Sequence, residues 1–329
     1  MKYIAGIVLV LALFCAAAGC VSTETGSLKI TNSDGSTTAL SAPVERIVLL
    51  NSNAGEILYL LGDADKVVGI SKSIADNTEQ RKMYPDAVVV GLWNEPDVEY
   101  LISLNVDLVI GYATSKPKNA EVLAASGIPI VYIDCTKPAT MAQDIVEVGK
   151  IAGNTKRAEE IAAFYTDVMD TVWQYAAPFS MTRSVYAESY TAYFGQGTDT
   201  GMGQLISHAG GWNIMDIPGA KKLSDEWVVT KNPEIIVKLV NSMKNKEEVY
   251  AELQTRTGFS GVRAVQDGYV WLIRNDLTYG PRSCVAAAAM LEILHPNSSI
   301  GITAEGVLKE FNEKFGTQFE TEDITYPKL

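Results

Sequence analysis
Residues 98–110 read VEYLISLNVDLVI and residues 225–237 read DEWVVTKNPEIIV. Superposed without a gap, the phrases match in kind: Glu99 on Glu226, Tyr100 on Trp227, Asn105 on Asn232, Asp107 on Glu234, then three aliphatic residues. Each glutamate stands at the start of a predicted helix that leads into an apolar strand, where the helix macrodipole favours a negative charge. That local effect accounts for one such glutamate and less well for a pair at equal distance from its strand. Catalytic chemistry leaves no comparable trace. A hydrolase needs a nucleophile and a base, yet the chain has no GxSxG, no HExxH and only His208 and His295. A nucleotide-binding GxxxxGKS or GxxxxGKT loop is also absent. Both histidines fall inside apolar helical patterns, which predicts core packing or a helix-end contact. Without a CxxC, a zinc-type site is not expected. Neither an enzyme nor a resident cofactor is indicated.

The elements that position these residues must come from a chain of 329 residues, more than one ordinary core needs; at about 150 residues per domain, two are expected. A net charge of −12, spread along the chain, excludes a nucleic-acid partner, whose phosphates require clustered Lys and Arg. After Met1 and Lys2, the stretch YIAGIVLVLALFCAAAG is shorter than the roughly 20 apolar residues that span a bilayer and ends in small residues, the pattern of a signal peptide over 1–20. Ala17-Ala18-Gly19-Cys20 resembles a lipoprotein box, in which the cysteine is acylated and tethers the mature protein to the outer face of the membrane. Ala17 stands where Leu is usual. VSTETGS, residues 21–27, is a short polar tether. Cys135 and Cys284 remain in the body. An extracytoplasmic location permits their pairing, but the expectation is two free, half-buried thiols.

Alternating residues around Asp34-Gly35 predict an opening hairpin. Strands then alternate with helices: strands at 46–51, 67–71, 88–92, 107–112 and 129–134, helices near 54–61, 97–104 and 117–126. The strands are continuous apolar runs, as expected when helices cover both faces of a parallel sheet. MAQDIVEVGKIA continues as a helix, Gly153-Asn154 interrupts it, and a second helix resumes with Thr155 as N-cap and apolar residues at Ala158, Ile161, Tyr165, Val168, Val172 and Trp173 until Pro178. Strands at 234–240 and 268–274, and helices near 246–254, 283–294 and 304–315, follow. The fold class is α/β: an N-terminal lobe over 28–154 and a C-terminal lobe over 179–329, bridged by one long helix over 155–178.

The segments RIVLLNSNAGEILYLLGDADKVVGIS, PDVEYLISLNVDLVI, AGGWNI, SDEWVVTKNPEIIV and YGPRSCVAAAAMLEILHP, in this order, resemble the substrate-binding proteins of ABC importers for iron-siderophore, haem and vitamin B12. The resemblance implies two lobes joined by a helix that limits closure, with ligand in the cleft between them. It also implies that Glu99 and Glu226 each pair with an arginine of the permease dimer, which works with its ATPase subunits. The implied cargo is a metal chelate, an iron-siderophore first, haem or a corrinoid next; a surface adhesin or sensor on the same fold is the alternative. Cleft candidates lie where loops leave the strands: Asn51, Asn53, Trp93 and Tyr112 in the first lobe, Glu188, Tyr190, Tyr193, Tyr279 and Arg282 in the second. Trp93 matches the place where the vitamin B12 binder presents a tryptophan. Arg282 is the expected anion contact, since a guanidinium binds carboxylates or phosphates through two parallel hydrogen bonds.

Overall fold
A computed structural model describes residues 27–179, 181–296 and 300–329. The expected signal peptide, Cys20 and the tether lie outside the described residues, apart from Ser27, which opens the first strand. Strands β1 (Ser27–Thr31) and β2 (Thr37–Ser41) form the hairpin, antiparallel, with Leu28 opposite Leu40. Gly35 at the turn has φ +82°, a conformation that costs a residue without Cβ nothing.

The first lobe continues through β3 (Ile47–Leu49), α1 (Ser52–Leu61), β4 (Val67–Ile70), α2 (Lys72–Asp76), α3 (Thr78–Met83), β5 (Val88–Val89), β6 (Gly91–Leu92), β7 (Glu95–Pro96), α4 (Val98–Ser103), β8 (Leu108–Gly111), α5 (Ala120–Ala125) and β9 (Ile130–Tyr132). Its sheet runs β5-β4-β3-β8-β9, all parallel. Helix α6 (Pro138–Ala152) ends on Gly153 at φ +75°, and α7 (Thr155–Ala176) bridges to the second lobe; its 22 residues extend about 33 Å. Thr155 is the first helical residue of α7, not its cap. Asn154 occupies the cap position, and its amide donates to the Leu61 carbonyl of α1 instead. Trp173, expected on the buried stripe of α7, is 48% exposed.

The second lobe comprises β10 (Arg183–Glu188), β11 (Phe194–Gln196), α8 (Gly201–His208), β12 (Gly211–Asn213), β13 (Ala220–Lys222), α9 (Asp225–Lys231), β14 (Ile235–Val240), α10 (Lys246–Thr255), α11 (Arg263–Gln266), β15 (Val270–Arg274), α12 (Ser283–Leu294), α13 (Ala304–Phe315) and β16 (Thr325–Tyr326). Strands β10, β14 and β15 are parallel at its centre, β12 runs parallel beside β10, and β11, β13 and β16 add antiparallel edges.

One apolar core runs through both lobes: Leu49, Ile57 and Ile133 from the first, Val185 and Val237 from the second, joined through Ile145, Val172 and the almost wholly buried α12. The opposite face of each sheet carries a smaller cluster of its own. Cys135 and Cys284 are free and fully buried, deeper than expected. His208 bonds the Met169 carbonyl of α7 at 2.7 Å and His295 that of Ala209 at 3.1 Å.

Candidate functional site
The repeated phrase folds as the same small device in each lobe. Asp97 caps α4 by accepting from Tyr100 N at 3.0 Å, and Ser224 caps α9 by accepting from Trp227 N at 3.3 Å. Leu101 and Val228 then plug the clusters on the outer sheet faces. Asn105 and Asn232 sit just past their helices at φ +49° and +46°, left-handed turns that asparagine tolerates better than branched residues. The Asp107 carboxylate accepts from Arg46 N at 2.9 Å, and that of Glu234 from Ser184 N at 2.8 Å, tying each following strand to its neighbour. Every repeated polar position thus has a local structural task apart from the acids in the first turns. Glu99 and Glu226 are exposed and form no ion pair with a described residue. The carboxyl of Glu226 is held below its ordinary pKa by its own backbone N–H and by Ser224, so the α9 end does favour its charge.

Between the lobes the candidate residues divide. Trp93 meets Tyr112 edge to face, centroids 6.0 Å apart. The Tyr112 hydroxyl lies 3.3 Å from Ser52 Oγ, which lies 3.4 Å from Asn53 Oδ1. These side chains make one half-buried wall on the first lobe. Burial raises the Tyr112 pKa, so it stays a neutral phenol. On the second lobe Tyr190 is 55% exposed, Tyr193 lies under the Arg256 guanidinium at 4.4 Å, and Tyr279 is half-buried with its pKa raised by burial and by nearby Tyr190. The walls touch at their base. Gly280 N donates to the Cys135 carbonyl across the lobes at 2.9 Å, and a Cβ on Gly280 would lie 3.9 Å from Asn53 Cβ.

Three expected ligand contacts have other work. Asn51 is fully buried as the cap of α1: its Oδ1 accepts from Asn53 N at 2.8 Å, while its amide donates to the carbonyls of Ile133 and Asp134. Glu188, with no exposed surface, accepts from Lys238 at 2.6 Å and from Arg256 at 2.7 and 3.1 Å. Burial alone would raise the Glu188 pKa, but these two cations hold it below its ordinary value. Arg282, 5% exposed, is not an open anion contact. Its Nε and Nη2 donate to Glu56 at 2.9 and 2.7 Å, and its Nη1 to Asp276 at 2.9 Å. Glu56, Lys238 and Arg256 escaped the sequence reading. The signal was there in part: a lysine inside the buried run IIVKLV and a glutamate inside the apolar face of α1 both require a partner.

A cavity of about 540 Å³ lies elsewhere, between α6, α7 and α8, lined by Ala142, Trp173, Gln204 and His208 and by none of the cleft candidates. No helix among the described residues is long and apolar enough to cross a membrane, and none of their His, Cys, Asp and Glu side chains group to hold a metal ion.

A family model described as periplasmic binding protein matches residues 47–277, from the first strand of the parallel sheet past the last parallel strand of the second lobe. This chain belongs to the periplasmic binding protein family. The binding protein is 31% identical over 230 residues to a cobalamin-binding protein of Halobacterium salinarum, covering 64% of this chain and 58% of that one. It is 27% identical over 197 residues to a vitamin B12-binding protein of Yersinia pestis, covering 59% of this chain and 69% of that one. Among solved structures, a TroA-like periplasmic binding protein from Veillonella parvula superposes with a TM-score of 0.73 at 24% identity, over 87% of this chain and 95% of that one. The binding protein thus has the two-lobed fold.

Proposed function
We propose that this periplasmic binding protein is the extracytoplasmic substrate-binding component of an ABC importer. It captures a corrinoid between its lobes and delivers it to a permease dimer served by ATPase subunits. The observation that carries the delivery role is the pair Glu99 and Glu226, exposed at the same register of equivalent helices, one per lobe. Two facts favour a corrinoid over the iron-siderophore or haem that the sequence also allows. The curated relatives above are named as cobalamin and vitamin B12 binders. The only cation among the cleft candidates, Arg282, is consumed by Glu56 and Asp276, which leaves a neutral wall of Trp93, Tyr112, Tyr190, Tyr193 and Tyr279. Such a wall suits a bulky ligand edged with amides better than one bearing free carboxylates. No covalent step is required of any residue.

Titration with cyanocobalamin, read by quenching of tryptophan fluorescence, is expected to saturate. Trp93→Ala should weaken binding by at least the roughly 0.5–1.5 kcal/mol of an aromatic contact, about two- to tenfold. Equal affinity in the variant would remove Trp93 from the site. Membrane attachment through an acylated Cys20 belongs to the same reading: Cys20→Ser should shift the protein from the membrane to the soluble fraction, and unchanged partitioning would refute the anchor.

A further inference from the structure
At the base of the cleft lies a chain of charges that links the lobes. Glu56 projects from α1, one turn after Asn53. Arg282 stands at the start of α12, three residues after Tyr279. Their forked pair, at 2.9 and 2.7 Å, joins groups 226 positions apart, and both side chains are almost wholly buried. The chain continues from Arg282 to Asp276 at 2.9 Å, from Asp276 to Arg274 at 2.8 Å, and from Arg274 to the Glu320 carbonyl at 2.8 Å. Phe319 covers the Arg282 guanidinium at 4.1 Å. Both ends of the loop carrying Tyr279 are therefore pinned, and the pin lies on the helix that carries Asn53. Beside it, Gly280 N donates to the Cys135 carbonyl, and behind it Ala139 N donates to Gln204 Oε1 at 3.2 Å.

We propose that Glu56 and Arg282 are positioning residues for the cleft: their ion pair clasps the lobes at its floor, fixes Tyr279 against Asn53 and so sets the spacing of the two ligand-facing walls. The bridging helix and the shared apolar core, which includes Cys135 and Leu277, hold the lobes together by packing, while the ion pair is a directed polar contact at the floor. Without the clasp, the Gly280 N–H to the Cys135 carbonyl is the one hydrogen bond left among the described residues between the Tyr279 loop and the first lobe, beside the apolar packing of Leu277. A buried pair of this kind is weak support for net stability, because desolvation offsets its attraction, and a role in fixing geometry accounts for it better.

The amide of Gly280 reports the clasp directly, since its acceptor belongs to the other lobe. The double variant Glu56→Leu, Arg282→Met removes both charges, keeps the volume and leaves Asp276 paired with Arg274. In hydrogen exchange of the ligand-free protein, the Gly280 amide should exchange about tenfold faster or more, with β3 and β14 unchanged. Arg282→Lys, which loses the fork but keeps a charge, should give an intermediate rate and carries the test if the double variant does not fold. Unchanged Gly280 protection, or a uniform acceleration over the whole chain, would overturn the clasp. A second readout rests on the corrinoid reading: bound cyanocobalamin should dissociate faster from either variant, and an unchanged dissociation rate would count against positioning. A wild-type protein that binds no corrinoid would refute that reading, while the exchange result alone decides the clasp.

Discussion

A double charge reversal, Glu99→Lys with Glu226→Lys, is expected to abolish uptake into vesicles carrying the cognate transporter while leaving ligand affinity in solution unchanged. Both side chains are exposed, neither is paired with a described residue, and the helices that carry them are fixed from below by Leu101 and Val228. A reversal therefore changes the charge presented to a partner without moving the cleft. The single variants should each impair uptake, and because the two sites lie on different lobes with no shared partner their effects should combine approximately additively. Pairs at the rim of an interface act mainly on encounter and register through screened charges, so the partial defects relative to wild type should shrink as salt is raised. If the glutamates served only their own helix ends, the double variant would melt slightly earlier and transport normally. Normal uptake by that variant would reduce the repeated phrase to a structural device shared by two lobes.

Truncating Glu188 should produce the largest loss of stability of any single change near the cleft. Glu188→Ala would leave Lys238 and Arg256 buried without their shared carboxylate, and breaking a buried pair in this way costs about 3–5 kcal/mol. Chemical denaturation should show this as a lower midpoint at unchanged slope. The sign of the pH dependence follows from the same contacts. The folded carboxyl has a pKa below its ordinary 4.5, so its contribution is present above that value and is lost as pH falls through the lower folded value. Wild type should therefore lose stability in acid more steeply than Glu188→Gln. A variant as stable as wild type but weaker for ligand would return Glu188 to the cleft.

The architecture was legible because its signals are local. Continuous apolar runs gave the central parallel strands, Gly153 at φ +75° ends α6 where the helical period breaks, and the Asp34-Gly35 hairpin follows from two residues. Helices α2 and α3 were not legible, since KSIAD and TEQRKM are too short and polar to show a period. The repeated phrase was legible as a repeat, but only the structure divides it into residues that cap, plug and tie, and glutamates that do none of the tying. Arg282 and Glu188 were misjudged for one cause. Whether Arg282 faces ligand or Glu56 depends on a partner 226 positions away, and whether Glu188 faces ligand depends on Lys238 and Arg256, 50 and 68 positions away. No spacing rule reaches across such distances. Trp93 and Tyr112 stay half-buried in edge-to-face contact with each other, since an aromatic ring needs no charged partner to lie at a surface.

The most direct measurement is calorimetric titration of the purified protein with cyanocobalamin, a carboxylate-bearing ferric siderophore and haem in turn, each followed by a visible spectrum of the desalted complex. A corrinoid held between neutral aromatic walls predicts one-to-one binding of cyanocobalamin, with a Kd of about 1 μM or tighter, and its spectrum retained after desalting. The same walls, lacking a free guanidinium at Arg282, predict much weaker binding of the carboxylate-bearing chelates. Saturable binding of haem or the ferric siderophore, with no heat from the corrinoid, would contradict this.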